Sequence, residues 1–303
     1  MQHFGDRLSR AIREKNAPVC VGLDPLLDRL PPSLGTAKVT DAASAARVLL
    51  DFGRGVIDAV APLVPVLKIN IAFFERYRAD GFRAYHELVR EARSAGLIVI
   101  GDVKRADIGH TSAQYAAGQL GGDPLMPDDD LPDAITVNPY FGWDGVWPFI
   151  EAARESGRGV FVLVQTSNAS AEAVQGIPGP AGLSMCQHVA QLVEGWATTD
   201  GLVGESGYSS VGAVVSPRDV PSTIRIREMM PHCFFLVPGF GAQGRSAEEV
   251  VRCFQSGGGA IVAASRSVIF AHEDRKWTPA ARDWKDAVHA ACKEFIETVR
   301  SAL

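Results

Sequence analysis

The feature of this sequence that most restricts its fold is a regular alternation of short apolar segments with stretches of helical periodicity. Each apolar segment has the length of a strand and is bounded by glycine, proline or polar residues. The segments are residues 18–25, 65–70, 96–101, 134–138, 159–164, 211–215, 234–237 and 258–264. Strands separated by helices pair in parallel, because each crossover returns the chain to the same end of the sheet. Eight such units predict a closed (β/α)8 barrel, the TIM barrel of the α/β class.

Apolar residues at helical spacing support the other half of the pattern. They predict helices over 41–60 and 280–301, and a charged amphipathic helix over 4–15 that precedes the first strand. No shift in composition divides the chain of 303 residues. We therefore expect residues 1–303 to form a single (β/α)8 barrel domain with an N-terminal helix.

Composition and charge exclude several classes of function. The net charge is -5, which argues against broad nucleic-acid or membrane-surface binding but still permits a local basic pocket. The 5 cysteines are scattered without a CxxC motif, as expected for reduced thiols in the cytoplasm. No run approaches 18 uninterrupted apolar residues and the first residues lack an apolar signal core, so we expect a cytoplasmic protein.

The stretch Asp102–Thr111 concentrates charge directly after the third apolar segment. Side chains two residues apart in a strand point the same way, so Asp102 and Lys104 are expected to project together, with Asp107 arriving from the following turn. Thr111 and Ser112 are candidate caps of the next helix. Alone, this DxKxxD pattern is equally consistent with an ion pair at the surface.

Other strand ends carry polar residues as well. Lys68 lies within an apolar run, and a buried lysine needs a charged or polar partner. Asp24 is either part of the same site or a cap of the turn at Pro25. A barrel would bring the strand-end residues to one mouth: Asp24, Lys68, Asp102, Lys104, Asn138, Ser167, Gln243 and Arg266.

Two late loops suggest that the ligand carries a phosphate. The loops after the seventh and eighth strands of such barrels often bind phosphate through backbone N–H groups. Here they are the glycine-rich 238–244 and the segment 265–267, in which Arg266 offers a fork of donors. The glycines alone could belong to a strained turn, but together with Arg266 they favour a phosphorylated small molecule.

Two further loops are long enough to have a function of their own. Residues 118–133 are acidic, and the three aspartates 128–130 lack the ligand spacing of a calcium loop, which favours a solvated loop over a metal site. The loop after the fifth strand contains Gly176, Pro178, Gly179 and Pro180 and is a candidate lid.

Taken together, the strand ends resemble those of orotidine 5′-phosphate decarboxylases, in their longer bacterial branch. The matching segments follow the family's order: VGLDP at 21–25, KIN at 68–70, DVKRADI at 102–108, TVNPY at 136–140, QTSN at 165–168, PGFGAQG at 238–244 and SR at 265–266. DxKxxD also occurs in sugar-phosphate decarboxylases of the superfamily, so the whole set carries the resemblance. One departure is Ser265, where the family often has glycine.

The resemblance implies a reaction and its catalytic groups. Orotidine 5′-monophosphate would lose carbon dioxide to give uridine 5′-monophosphate, the last step of UMP biosynthesis, without a cofactor or metal. Lys68, Asp102, Lys104 and Asp107 would form an alternating charge array, and Lys104 would protonate C6 of the pyrimidine. Asp107, Ile108 and Thr111 would reach into the neighbouring subunit's site, which requires a homodimer.

The resemblance also assigns substrate contacts. Asp24 and Lys68 would hold ribose hydroxyls, and Ser167 would contact the edge of the pyrimidine. At the phosphate end it implies contacts from Gln243, which bridges base and phosphate, and from Gly244, Ser265 and Arg266.

Three other functions stay open at this point. A sugar-phosphate decarboxylase or epimerase on the same barrel would use Mg²⁺ held by carboxylates. An aldolase would form a Schiff base on Lys104 or Lys68, although a lysine beside carboxylates stays protonated and is a poor nucleophile. A regulator would bind the nucleotide without turnover, which the intact charge array disfavours.

Overall fold

A computed structural model shows a closed barrel of eight parallel strands, as the alternation predicts. Each strand pairs with its successor and β8 pairs with β1. The strands are β1 Val19–Leu23, β2 Val66–Asn70, β3 Ile98–Arg105, β4 Ala134–Val137, β5 Gly159–Gln165, β6 Val211–Val215, β7 Phe235–Val237 and β8 Ala260–Ala264. The structure describes residues 2–122, 125, 127–179, 182–239, 247–277 and 283–303.

Helices connect the strands and surround the barrel. They are α1 Phe4–Lys15, α2 Ala42–Val60, α3 Ala72–Glu75, α4 Arg78–Ser94, α5 Gly109–Leu120, α6 Trp143–Ser156, α7 Glu172–Gln175, α8 Met185–Ala197, α9 Val220–Met229, α10 Ala247–Val251, α11 Arg266–Ile269 and α12 Trp284–Ala302. Among the described residues, no helix combines the length and the hydrophobicity needed to cross a bilayer.

The barrel interior is filled with side chains, and α1 closes its amino-terminal end. Inward-facing residues of the strands form one buried cluster, which includes Ile100, Ala134 and Phe161. Phe4 and Leu8 of α1 belong to the same cluster, and the Phe4 ring meets that of Phe161 edge to face at 6.1 Å. Burying these two side chains gives the amphipathic helix its fixed place beneath the barrel.

A second, larger cluster fills the layer between the strands and the outer helices. The aromatic rings of Phe52 and Trp284 stack at 5.0 Å, which joins α2 to α12. The amino terminus of α2 is capped by Asp41, whose carboxylate accepts the Ser44 N–H at 2.8 Å. The last helix of the chain thus packs beside the first helix of the α/β repeat.

The third strand is longer than its apolar run predicts. It continues through the charged residues to Arg105 instead of ending at Gly101. Its pairing with β4 jumps from Gly101 opposite Ile135 to Arg105 opposite Val137, so four steps along β3 match two along β4. This bulge keeps charged residues within the strand, because they project into the polar mouth of the barrel rather than into its core.

The structure corrects the predicted caps of the helix after β3 and adds helical turns to two predicted loops. The helix after β3 begins at Gly109, so Thr111 and Ser112 lie inside α5 and are not its caps. Gly109 has φ +52, which lets the chain turn into the helix early. The acidic segment 118–133 is helical up to Leu120, and the predicted lid contains α7.

Candidate active site

A cavity of about 240 Å³ opens at the carboxyl ends of the strands, where such barrels place their active sites. Its lining contains seven of the residues selected from the sequence: Asp24, Lys68, Asp102, Lys104, Ser167, Ser265 and Arg266. The barrel therefore gathers side chains that are up to 242 residues apart, from Asp24 to Arg266, around one space.

Alternating charges cross this cavity from β1 to β3. Asp102 is buried, and its carboxylate accepts hydrogen bonds from two ammonium groups. Lys68 Nζ donates to Oδ2 at 3.0 Å, and Lys104 Nζ donates to Oδ1 at 2.5 Å. On its other side Lys68 Nζ lies 3.6 Å from Asp24 Oδ1. Asp24 thus belongs to the site and does not merely cap a turn.

The array holds its members in their charged forms. Burial alone would favour a neutral Lys68, but the charges of Asp24 and Asp102 outweigh it and raise the pKa of Lys68 above its ordinary value. Burial likewise opposes ionisation of Asp102, but Lys68 and Lys104 draw its pKa well below the usual range. Each group therefore stays ionised because its neighbours carry the opposite charge.

The two lysines differ in how free they are to meet a ligand. Lys68 is closed in between two carboxylates and its side chain is 12% exposed, whereas that of Lys104 is 49% exposed. Lys104 also has a left-handed backbone, with φ 44, which an L-residue adopts at a cost of about 1–2 kcal/mol. The bulge in β3 thus presents an ammonium group at the open side of the array.

The residues after β8 form the end of the cavity at which the sequence predicts a phosphate site. Arg266 is exposed and forms no ion pair within the described part of the chain. The Ser265 hydroxyl is buried and has no hydrogen-bond partner among the described atoms. Ser265 packs directly against Gly22. A side chain at residue 22 would clash, because its Cβ would lie 2.9 Å from the Cβ of Ser265. Gln243 and Gly244 lie outside the described residues.

The segment after β5 places Ser167 at the cavity wall. Its neighbour Thr166 is clamped by Gln175 of α7: the Thr166 N–H donates to Oε1 at 3.0 Å, and Gln175 Nε2 donates to the Thr166 hydroxyl at 2.6 Å. Ser167 itself is half-buried and lines the cavity. The start of the loop after β5 is therefore held by the short helix α7.

Four of the predicted residues that the structure describes lie outside the cavity lining. Asn138 is exposed and its Oδ1 accepts the Tyr140 N–H at 3.0 Å, so this residue shapes a turn and the prediction that it joins the mouth is wrong. Asp107 Oδ1 accepts the N–H of Ile108 at 2.8 Å. Ile108 is 53% exposed, and Thr111 is exposed as well.

Sequence reasoning missed one polar residue of the cavity wall that touches the charge array. Thr136 is 1% exposed, and its hydroxyl donates to Asp102 Oδ1 at 2.9 Å. The signal was available, since Thr136 shares the inward side of β4 with Ala134 and is polar in an otherwise apolar strand.

Comparisons with known proteins show which family has a sequence and a fold of this kind. Residues 17–278 match the model of the "Orotidine 5'-phosphate decarboxylase / HUMPS family". The chain belongs to this family. The resemblance seen in the strand-end segments is thereby confirmed, and so is the (β/α)8 barrel, which this member of the decarboxylase family shares with solved structures.

Individual relatives of this family member cover nearly the whole chain. An orotidine 5′-phosphate decarboxylase of Rhodopirellula baltica is 39% identical and spans 99% of this chain and 100% of its own length. One from Deinococcus radiodurans is 37% identical over 88% of this chain and 89% of its own. The solved OMP decarboxylase of Leishmania donovani is 28% identical, with a TM-score of 0.74 over 99% of this chain and 98% of that one.

Proposed function

We propose that this member of the decarboxylase family converts orotidine 5′-monophosphate to uridine 5′-monophosphate and carbon dioxide, the last step of UMP biosynthesis. The observation that carries the proposal is the Lys68–Asp102–Lys104 array in the same cavity as Arg266. It joins a positioned ammonium group to a group suited to phosphate, as this substrate requires.

The decarboxylation requires a cation close to C6 of the pyrimidine. When the bond from C6 to the carboxylate breaks, its electron pair stays in a σ orbital that the ring cannot delocalise. A fixed ammonium group stabilises that charge without having to reorganise. Lys104 Nζ is such a group, and it delivers the proton that C6 takes up as carbon dioxide leaves. The lysine then regains its proton from solvent.

The other array members hold Lys104 and the sugar. Asp102 accepts hydrogen bonds from both lysines, so it sets where the Lys104 ammonium lies. Asp24 Oδ1 is buried and accepts no hydrogen bond within the described residues, which leaves it open to a ribose hydroxyl beside Lys68. Ser167 lies where it can contact the base.

The phosphate contacts rest on unsatisfied donors. Arg266 offers guanidinium N–H groups that no described acidic side chain engages, and the buried Ser265 hydroxyl has no partner among the described atoms. A phosphate oxygen would satisfy both. Gln243 and Gly244 are proposed to complete this end. Serine in place of the family's frequent glycine thus adds a donor rather than removing the site.

We further propose a homodimer whose subunits share their sites. Asp107 and Ile108 lie outside the cavity of their own chain. Ile108 is 53% exposed, Tyr140 78% and Phe141 46%. The Asp107 backbone carbonyl and the Phe141 Cβ both lie beside Gly145, so the segment of Asp107 and Ile108 and these exposed aromatic side chains are neighbours on one surface. A second copy covering it would receive Asp107, Ile108 and Thr111 at its own site.

The cytoplasm is the proposed location. All five cysteines are unpaired and buried, as suits a reducing compartment.

A spectrophotometric assay with orotidine 5′-monophosphate, with and without EDTA, tests the reaction. We expect turnover that EDTA leaves unchanged. Loss of activity in EDTA would favour the metal-dependent sugar-phosphate chemistry of related barrels. In this array, however, Lys68 already occupies the position between Asp24 and Asp102 that a cation would take. Tight binding of the nucleotide without turnover would indicate a regulator instead.

A borohydride experiment separates this proposal from an aldolase. Asp24 and Asp102 raise the pKa of Lys68, so its amine stays protonated and is a poor nucleophile. We expect no covalent adduct when enzyme and substrate are reduced together, and mass spectrometry of the intact protein measures it.

A further inference from the structure

The hydroxyl of Thr136 links the backbone and the side chain of Lys104 through one short ring of hydrogen bonds. It accepts the Lys104 N–H at 3.0 Å and donates to Asp102 Oδ1 at 2.9 Å. The same Oδ1 accepts Lys104 Nζ at 2.5 Å. We propose that Thr136 is a positioning residue that holds Lys104 in place for protonation of C6, an inference that rests on the proposed function.

The bulge in β3 explains why a side chain has to supply this bond. Gly101 pairs with Ile135 and Arg105 with Val137, so Thr136 alone faces the three residues between them. The Lys104 N–H bonds to the Thr136 hydroxyl instead of to a backbone carbonyl of the neighbouring strand. This bond is partly buried, and an N–H left without an acceptor away from bulk water costs about 1–3 kcal/mol, so the hydroxyl stabilises the bulge.

The hydrogen bond from the Lys104 N–H to the Thr136 hydroxyl also helps to hold the unusual backbone conformation of Lys104. Its φ of 44 is a conformation that a lysine abandons unless its surroundings hold it. The direction of the side chain follows from this backbone, because Cβ turns with φ. Without the Thr136 acceptor, residues 102–104 can relax toward a regular strand and carry the ammonium group away from C6.

Only a hydroxyl completes the ring. One oxygen must accept from the Lys104 N–H and donate to the Asp102 carboxylate. Valine has the same shape as threonine but can do neither, whereas serine can do both. Thr136 is 1% exposed, so bulk water has little access to replace a lost hydroxyl. Its short side chain hydrogen-bonds within the array and leaves the phosphate and ribose contacts to other residues.

The experiment compares Thr136→Val and Thr136→Ser with the wild type in the decarboxylation assay. A displaced ammonium group should lower kcat of the valine variant by about 10- to 100-fold, while KM changes by less than about threefold. The serine variant should recover kcat to within about threefold of the wild type. The dissociation constant of uridine 5′-monophosphate, measured by calorimetry, should stay unchanged in both variants.

Thr223→Val is the matched control. Thr223 is also buried, and its hydroxyl donates to the Asp219 carbonyl at 2.7 Å in α9, away from the cavity lining. This variant loses a buried hydroxyl of the same kind, so we expect the stability cost of the exchange with kcat and KM like those of the wild type.

Several results would overturn the inference while leaving the reaction itself intact. They are a valine variant with wild-type kcat, a serine variant as slow as the valine one, or a loss that falls on KM and nucleotide affinity alone. If Thr136→Val and Thr136→Ala both lose the native circular dichroism while Thr136→Ser keeps it, the hydroxyl is needed for folding rather than positioning, and the proposal is wrong. A wild-type protein without turnover contradicts the proposed function instead.

Discussion

At the residue scale, the site works through mutual dependence of charges. Asp102 is ionised because two ammonium groups face it, and Lys68 is protonated because two carboxylates face it. Lys104 completes the array and is more exposed than Lys68. Buried charges are stable only with such partners, so removing one member perturbs all the others.

Lys104→Ala and Arg266→Ala should separate catalysis from binding. Loss of the Lys104 ammonium group removes both the stabilising charge and the proton donor, so we expect kcat to fall by more than about 10³-fold. Loss of Arg266 removes the proposed charged contact to phosphate and should raise KM by about 10- to 100-fold, more than it lowers kcat. Steady-state kinetics measure both. A Lys104→Ala enzyme with a nearly wild-type rate would contradict the mechanism.

The depressed pKa of Asp102 predicts a pH dependence of stability. A carboxylate whose pKa is lower in the folded state stabilises the fold above its unfolded pKa of about 4, and this contribution is lost as the pH falls toward the folded pKa. The unfolding free energy of the wild type should therefore fall more steeply below about pH 4 than that of Asp102→Asn, by up to about 1.4 kcal/mol per pH unit. Urea titrations between about pH 2.5 and 5 test this, and parallel curves would refute it.

The charge of a residue predicted its place in the site better than its position at the end of a strand did. Lys68 in an apolar run had to meet a polar partner, and it contacts Asp102 and Asp24. Asn138 follows a strand just as Ser167 does, yet it caps a turn. Thr136 is the polar residue of an otherwise apolar strand, but its sequence context does not show which groups its hydroxyl meets. Whether a side chain at a strand end points inward or outward depends on the local φ and ψ. The residue types Asn and Thr do not determine these angles.

At the scale of elements, β3 and α1 are most informative. The bulge of β3 allows a strand to continue through Asp102 and Lys104, where the apolar pattern alone ends at Gly101. The helix α1 stands outside the α/β repeat but fills the amino-terminal end of the barrel. Both elements depend on a neighbour that periodicity does not reveal.

Phe4→Ala tests the role of α1. The ring is 1% exposed and contacts Phe161 in the barrel interior, so its loss leaves a cavity and should lower the unfolding free energy by about 3–5 kcal/mol. Phe82→Ala on α4 is the control, since that ring is 36% exposed and its removal should cost about 1 kcal/mol or less. Urea denaturation measures both variants, and equal losses would show that α1 does not close the barrel.

At the scale of the whole molecule, closure of the barrel turns eight separate strand ends into one site. We propose that residues 1–303 act as a single domain, since α1 fills the interior and α12 packs on α2. The shared dimer proposed above goes one step further, because it divides the Asp102–Thr111 stretch between two sites.

Subunit mixing tests that division. Lys104→Ala and Asp107→Ala should each be nearly inactive alone. In a mixed dimer one site has lost both groups, and the other combines an intact Lys104 with an intact Asp107 from its partner. Random mixing should therefore restore about a quarter of the wild-type activity. Mixtures that remain inactive although mass spectrometry shows mixed dimers would contradict the shared site, and so would a monomeric variant with full activity.

The sequence by itself determined the architecture and most of the chemistry. Apolar periodicity follows from burial, which is similar at every repeat, so eight strands and a barrel could be predicted. The residues of the charge array could be selected because unpaired charges are excluded from apolar runs. Only the tertiary structure decided how the array is held: the bulge between Gly101 and Arg105, the left-handed Lys104 and the Thr136 hydroxyl that meets it. These features depend on the register between two strands, which is set by the closure of the whole barrel and not by the residues of either strand alone.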